Sequence, residues 1–292
     1  MAGKKPNGGG GGMFRLGTIV KALLALGILF AFFQIPSDPS VKGIAALTID
    51  KSKIVAAWIK NVGEGLQQGK LTLGLDIEEP PVTKIDIKAP FLNPASPDFN
   101  AAPIVASAET IPTSNFNKDA DYDRYLWKHW DNVTPCWTVR EEVLYRDAVK
   151  DDKLTMLDSN KVRTNDKNAA CYIVGGTWID PYTKETFTNP EDLDIDHMVA
   201  LGYASKAGGS TWDSARKESF ANSLDYPYHL IAVSASANRS KSDKGPSEWK
   251  PANEDFHCQY AIAWTTVLAN WELNTTSSDK SAIIDMLGKC KK

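Results

Sequence analysis

The first apolar run of the sequence covers residues 13–35 and is interrupted by Arg15, Lys21 and Gln34. Its uninterrupted part, residues 22–33, is shorter than the roughly 20 residues that a membrane-spanning helix needs. The run reaches that length when Lys21 extends its ammonium group to the membrane surface. The basic residues near the run precede its apolar part, so the positive-inside rule exports the remainder of the chain. We therefore predict a flexible basic leader at residues 1–12 and a transmembrane signal anchor at residues 13–35.

A cleaved signal peptide is the alternative for this segment. The sequence after the apolar run reads Gln34-Ile35-Pro36, which is not a small-x-small cleavage site. An anchor would hold the protein in the membrane with the rest of the chain at the cell surface, whereas cleavage would release a secreted protein. A buried core helix fits less well, because glycines and charged residues flank the run.

Residues 36–118 carry weaker patterns and no recognisable chemistry. Residues 44–67 have apolar spacing compatible with one amphipathic helix, and residues 71–77 are compatible with a strand. Residues 78–117 are rich in Pro, Ala, Ser and Asn, a composition typical of an extended tether. We predict that residues 36–118 form an extracytoplasmic linker or stalk.

Residues 119–292 have the dense aromatic, charged and cysteine content of a compact domain. Their periodicity predicts helices over residues 122–130, 138–149, 214–222, 253–270 and 278–287. It predicts strands or extended runs over residues 171–178, 192–198 and 229–233. The strands are too few and too separated for a doubly wound sheet, so the fold class is α+β.

The charge balance limits how this domain could bind nucleic acid. The whole chain has a formal net charge of -3, and residues 119–292 contain 21 Lys and Arg against 27 Asp and Glu. This balance gives no reason to expect general electrostatic attraction to nucleic acid, so any contact needs a local basic patch or a bound cation.

The four cysteines are candidates for disulfide bonds. None forms a CxxC pair, which argues against a structural zinc site. Four cysteines allow three pairings, of which we favour the sequential one, Cys136–Cys171 with Cys258–Cys290. Export would favour oxidation, and four reduced, buried thiols are the alternative.

Two segments carry chemistry. In the first, Asp196 directly precedes His197, so a carboxylate suited to Mg²⁺ stands beside an imidazole suited to a general base. The pair alone is weak, and the neighbouring Asp192 and Asp194 could simply be the solvated face of a strand. In the second segment an apolar run leads to Asn238, a neutral oxygen donor, and then to Arg239 and Lys241, which suit phosphate. A helix start with a solvated basic face is the alternative for this second segment.

Together the segments resemble a known family. The pattern DIDHMVAL, a W-x₃-R-x₃-FAN stretch and HLIAVSASANRSKSDKGPSEW resemble the secreted HNH endonuclease family, which is similar to the nuclease domain of the GmrSD restriction system. CWTVR, at residues 136–140, resembles the start of that family's domain. The resemblance covers about residues 119–292 and implies a ββα-metal, HNH-type nuclease core with added helices.

The resemblance implies a role for each matched residue. His197 would be the general base, and Asp196 and Asn238 would hold one divalent cation, Mg²⁺ with Mn²⁺ as an alternative. Phosphate contacts would come from the basic side chains Arg239, Lys241, Lys244 and, with a structural ion pair as its alternative, Arg140. Many relatives have Asn where this chain has His229, which would brace His197 or, alternatively, bind the metal and shift its preference.

The leading hypothesis is a metal-dependent endonuclease that acts on DNA, with RNA as an alternative substrate, outside the cytoplasm. No obligate protein partner is evident, and the membrane is a partner only through residues 13–35. The competing hypothesis is a non-catalytic binding module with a vestigial site. A serine hydrolase is disfavoured, because no serine lies in a G-x-S-x-G elbow.

Overall fold

The computed structural model of the chain describes residues 81–89, 92–116 and 122–290. The predicted leader, the signal anchor and residues 36–80 lie outside the described residues. Within the described ranges no helix combines the length and the apolar character needed to cross a membrane.

The described residues form a mixed α+β fold, as predicted. The α-helices are α1 (Ala102–Thr110), α2 (Val139–Asp147), α3 (Leu201–Lys206), α4 (Ser214–Ala221), α5 (Ala235–Lys241), α6 (His257–Asn270) and α7 (Ser277–Gly288). The strands are β1 (Thr155–Asp158), β2 (Arg163–Thr164), β3 (Ala170–Gly175), β4 (Trp178–Ile179), β5 (Thr186–Phe187), β6 (Leu193–His197) and β7 (Leu230–Ser234).

The strands form three small antiparallel sheets. Their orders are β2-β1-β3, β4-β5 and β6-β7. Strand β6 pairs with β7 from Leu193 opposite Ser234 to His197 opposite Leu230. Helix α5 follows β7 directly, so it lies beside the antiparallel pair of β6 and β7.

Strand β7 is buried along its whole length because it separates two apolar clusters. Leu230 and Ala232 belong to the smaller cluster, which also contains residues of α2 and β3. Ile231 and Val233 belong to the larger cluster, which surrounds α6. Side chains alternate between the faces of a strand, so one strand supplies both clusters.

Helix α6 is the centre of the larger cluster. Its residues from Gln259 to Ala269 are all buried, and Trp264 is completely inaccessible. Burial of each large apolar side chain contributes roughly 1.5–3 kcal/mol, so this helix is a principal source of stability. The helix predicted over residues 253–270 begins later, at His257, after a 3₁₀ turn, Glu254–Phe256, capped by Asn253.

The prediction of an extended stalk over residues 78–117 is wrong for its described part. Helix α1 lies within this segment, and its Ile104 is buried in the larger cluster together with Ile85 and Leu92. Asn270 of α6 accepts a hydrogen bond from the amide of Ile85 at 2.8 Å and donates one to its carbonyl at 2.9 Å. Proline occupies the first turn of α1, where it is tolerated, and alanine favours helix, so this composition permits a helix.

The helix predicted over residues 122–130 is also wrong. Only a 3₁₀ turn forms, Arg124–Leu126, and Asp123 caps it by accepting a hydrogen bond from the amide of Tyr125. Trp130 has a φ of 65°, which is incompatible with continuing a right-handed helix. The predictions of helices corresponding to α2, α4 and α7 are confirmed.

Both predicted disulfides are present. Cys136–Cys171 links the segment before α2 to β3, with its Cα atoms 4.9 Å apart. Cys258–Cys290 links the start of α6 to the residues after α7, with a Cα separation of 5.2 Å. These separations lie in the usual range for disulfides, and the alternative of four reduced thiols is excluded.

Candidate active site

A cleft of about 500 Å³ lies where β6 ends and α5 passes beside it. Asp196 and His197 at the end of β6, and Asn238 and Arg239 of α5, all line this cleft. The pairing of β6 with β7 brings these residues together across more than forty positions of sequence, because α5 begins directly after β7. The structure therefore unites four of the predicted site residues.

His197 is held as a neutral imidazole. Its side chain is buried, and Nε2 lies 2.9 Å from the carbonyl oxygen of Ala221 in α4. A carbonyl oxygen only accepts, so Nε2 carries the proton and Nδ1 is the unprotonated nitrogen. Burial holds the pKa of His197 well below its usual value, which keeps the ring uncharged near neutral pH. An unprotonated ring nitrogen beside a cleft suits proton abstraction.

Asp196 is a buried carboxylate with two fixed partners. Lys241 donates to Oδ1 at 2.8 Å, and the hydroxyl of Tyr182 donates to Oδ2 at 2.6 Å. Burial raises the pKa of Asp196, and the ammonium group of Lys241 opposes that rise. Asp196 faces the larger apolar cluster, since its partner across the sheet is Ile231. A charged group in such a place needs its countercharge and its hydrogen bonds.

Lys241 does not occupy the surface position that a phosphate contact requires. Its side chain is completely buried, and Nζ binds both Asp196 and the carbonyl oxygen of His197, the latter at 2.9 Å. The expectation that Lys241 contacts substrate phosphate is therefore wrong. It lies one helical turn after buried Ala237, and this i,i+4 relation was the sequence signal for an inward position.

Asn238 is oriented by a second aspartate. Its amide nitrogen donates to Oδ2 of Asp194 at 3.1 Å. Arg239, whose side chain is 78% exposed, places its Nε 3.9 Å from the same carboxylate oxygen. Asp194 is thus in direct contact with the predicted site residues, although the sequence favoured a solvated position for it.

His229 lies outside the group of residues that line the cleft. Its Nε2 lies 2.7 Å from the carbonyl oxygen of Phe220, and burial lowers its pKa to about 4. The rings of His229 and His197 have centroids 6.5 Å apart, while their Nε2 atoms bind the consecutive carbonyls of Phe220 and Ala221. His229 therefore fixes the same end of α4 that orients His197, without contacting that ring through a hydrogen bond.

Two other predicted phosphate contacts also lie outside the cleft lining. Arg140 donates to the carbonyl oxygens of Pro190 at 2.9 Å and Leu193 at 3.0 Å, so it ties α2 to the start of β6. Its function here is structural. Lys244 is exposed and donates to the carbonyl oxygen of Ser240 at 2.8 Å.

The sequence reasoning missed four polar residues that line the cleft, Tyr122, Arg124, Ser242 and Asp243. It also missed Tyr182, which binds Asp196. Tyr122 and Arg124 fell in a predicted helix, and nothing in that pattern marked either residue as part of a site. No sequence pattern connected Tyr182 to Asp196, because the contact depends on packing between separate elements.

The donor set suits a hard divalent cation. Asp196 offers a carboxylate and Asn238 an amide oxygen, and an ionised carboxylate retains lone pairs beyond the two that Lys241 and Tyr182 use. Magnesium prefers oxygen ligands and keeps several waters, so two protein ligands are sufficient. Within the described ranges, no group of three or more His, Cys, Asp or Glu residues is arranged to hold a metal.

Residues 147–286 match the family described as GmrSD restriction endonucleases, C-terminal domain. The chain is 33% identical over 210 residues to an uncharacterized secreted protein of Arthroderma benhamiae, and the alignment covers 72% of this chain and 95% of that protein. No solved structure matches the chain.

The chain therefore belongs to the family that carries the C-terminal domain of GmrSD restriction endonucleases. The predicted resemblance is confirmed, and it indicates a nuclease-type domain. The matched range contains Asp196, His197 and Asn238, so the candidate site lies in the part of the chain that defines the family.

Proposed function

We propose that this protein is a metal-dependent endonuclease that hydrolyses phosphodiester bonds of DNA outside the cytoplasm. The observation that carries the proposal is a neutral, buried His197 beside a carboxylate and an amide in one cleft. RNA is the second substrate to test, because nothing in the cleft geometry distinguishes the two sugars. The unit β6, β7 and α5 supports assignment to the ββα-metal, HNH-type class.

His197 is the general base in this proposal. Its unprotonated Nδ1 accepts a proton from water, and the resulting hydroxide attacks phosphorus. The bond from phosphorus to the 3′ oxygen then breaks, and the leaving oxygen takes a proton from solvent. The hydrogen bond from Nε2 to Ala221 holds the neutral ring in the tautomer that leaves Nδ1 free to accept this proton.

Asp196 and Asn238 are the proposed ligands of one cation, Mg²⁺ with Mn²⁺ as an alternative. When bound, such an ion supplies Lewis-acid stabilisation of the phosphate and of the leaving oxygen. Lys241 holds the Asp196 carboxylate in a fixed rotamer, and Asp194 orients the amide of Asn238. Arg239 remains the proposed phosphate contact of α5, since its side chain is exposed and lines the cleft.

An extracytoplasmic location is supported by two observations. Both disulfides are of the kind that persists in oxidising compartments, and the fungal relative is described as secreted. Anchoring of the chain through residues 13–35 stays a prediction, with cleavage and release as its alternative.

The test is cleavage of plasmid DNA and of RNA by the purified full chain in nonionic detergent, with Mg²⁺, Mn²⁺ or EDTA. We expect cation-dependent nicking and a loss of roughly 100- to 10,000-fold in the His197→Ala variant. The matched control is His257→Ala, because His257 lies outside the cleft lining and its Nε2 binds the carbonyl oxygen of Pro251. Equal loss in both variants would contradict the assigned base.

A non-catalytic binding module is the second candidate. It is favoured by the pairing of Asp196 with Lys241, which satisfies the carboxylate without a metal. Binding of Mn²⁺ or of an oligonucleotide without cleavage by any cation, in a folded and disulfide-intact protein, would support this candidate over the nuclease.

A further inference from the structure

The loop before α2 exposes an aromatic side chain beside the cleft. Tyr125 is 95% exposed and Leu126 is 57% exposed, so both project from the 3₁₀ turn into solvent. Tyrosine usually buries much of its ring, and near-complete exposure leaves a planar apolar surface available to a ligand.

This exposed tip is held on a fixed support. Asp123 caps the turn through the amide of Tyr125 at 2.9 Å. Trp127, directly after Leu126, is buried and packs against Trp212 and Phe220. The tip is therefore presented by an anchored backbone, so a ligand that binds it would find it already ordered.

Arg124 adds a positive charge on the cleft side of this turn. It lines the cleft together with Arg239, which comes from α5. Nδ1 of His129 lies 2.7 Å from the carbonyl oxygen of Trp127, so Nδ1 carries the proton and Nε2 is free to accept. Nη2 of Arg124 then donates to that Nε2 at 3.1 Å, which orients the guanidinium group.

Arg124 and Tyr125 together offer the two kinds of contact that bind a nucleic-acid strand. A guanidinium group binds phosphate through paired N–H donors, and an exposed ring stacks on a base of any sequence. The two features are adjacent in the chain, as a phosphate and a base are adjacent in a strand. Acidic side chains outnumber basic ones in this domain, and Asp196 and Asp243 line the cleft itself, so a phosphate there depends on the local arginines.

We propose that residues 122–126 form a substrate arm, in which Arg124 binds a phosphate of the strand in the cleft and Tyr125 stacks on an unpaired nucleobase. This inference rests on the proposed nuclease function and deepens it, because it selects single-stranded or locally opened nucleic acid as the preferred substrate. Arg124 and Arg239 then contact the strand from two different elements.

The test measures binding of a short fluorescein-labelled single-stranded DNA by fluorescence anisotropy, with the full chain in nonionic detergent and EDTA to prevent cleavage. We expect Tyr125→Ala to weaken binding roughly tenfold, and Tyr125→Phe to retain it, because the ring alone stacks. Arg124→Gln should weaken binding and reduce the slope of log K against log salt by about 0.7.

Two control variants and a second oligonucleotide distinguish the phosphate contact of Arg124 from the stacking contact of Tyr125. Arg163→Gln and Tyr172→Ala remove an exposed arginine of β2 and a partly exposed tyrosine of β3 that do not line the cleft, and neither should change binding. On an oligonucleotide of abasic sites, Arg124→Gln should still weaken binding, whereas Tyr125→Ala should have no further effect.

The outcomes distinguish this inference from the function on which it rests. If wild-type protein binds and cleaves DNA, but Arg124→Gln and Tyr125→Ala behave as their controls do, the arm is wrong and the nuclease stands. A preference for double-stranded over single-stranded DNA that Tyr125→Ala leaves unchanged would also overturn the arm. If wild-type protein neither binds nor cleaves any nucleic acid, both proposals fail.

Discussion

The helix at the core and the strands at the cleft achieve burial by opposite means. Helix α6 buries a nearly continuous set of apolar side chains, such as Ile262, Trp264 and Leu268. The end of β6 and helix α5 instead bury Asp196, His197 and Lys241, which are stable there only because each has a hydrogen-bond partner. Burial of apolar groups explains why the protein folds. Burial of the charged groups of Asp196 and Lys241 opposes folding unless they are paired, so this pair marks the cleft as a candidate functional site.

The largest effect expected in this comparison comes from breaking the buried ion pair. Lys241→Met leaves the Asp196 carboxylate buried without its countercharge and should lower the free energy of unfolding by roughly 3–5 kcal/mol. The double variant Lys241→Met with Asp196→Leu should recover much of that loss, since neither charge then remains. Urea unfolding measures both.

The control for the ion pair is Lys244→Met, the same change at an exposed lysine three residues away. It should alter the free energy of unfolding by no more than about 0.5 kcal/mol. If both substitutions lower the free energy of unfolding by a similar amount, then the buried position of Lys241 does not matter for stability. The contrast between core and cleft would then be wrong.

A somewhat smaller effect is expected from pH. The pKa of His229 lies at about 4 in the folded protein, against 6.5 for the free side chain. Between these values the unfolded chain binds more protons, so the stability that is fully present above pH 6.5 falls as the pH drops towards 4. The loss reaches roughly 3 kcal/mol for His229, and the lowered pKa of His197 acts in the same direction.

Urea unfolding across this pH range tests the titration of His229. His229→Gln should flatten the dependence, because glutamine donates to a carbonyl without titrating. Parallel curves for wild type and variant would show that His229 is not the group responsible.

The smallest expected effects come from substitutions at two helix caps, one near the cleft and one away from it. Ser234 caps α5 and Thr138 caps α2, each by accepting a hydrogen bond from a backbone amide of its helix. Ser234→Ala and Thr138→Ala should each lower the free energy of unfolding by about 1 kcal/mol. Only Ser234→Ala should also slow cleavage, because α5 carries Asn238. If both variants, measured as folded protein, cleave at the same rate, then the cap that positions α5 does not affect activity.

Much of the fold near the cleft could be predicted from local pattern. The resemblance to a known family, rather than local pattern, assigned Asp196, His197 and Asn238 to one site. Apolar alternation predicted the run that became β6, a short apolar run predicted β7, and helical spacing predicted α6. These signals work because they depend on the period of one element at a time.

The features that the sequence did not reveal depend on contacts between distant elements. The pairing of Ile85 with Asn270 spans 185 positions, and the burial of Lys241 depends on a carboxylate of another strand. A basic side chain is exposed in most proteins, so local reasoning assigned Lys241 to phosphate. Because basic side chains are usually exposed, the sequence also offered no reason to predict that Lys241 is buried while Arg239 is exposed.

The end of α4 carries a consequence for how this family can vary in length. The segment between β6 and β7 contains α4, whose last two residues, Phe220 and Ala221, give their carbonyls to His229 and His197 in turn. One residue inserted into or deleted from α4 would rotate its last turn by about 100° and withdraw both acceptors at once. Length changes in this segment are therefore compatible with an intact cleft only where they leave the phase of α4 unchanged.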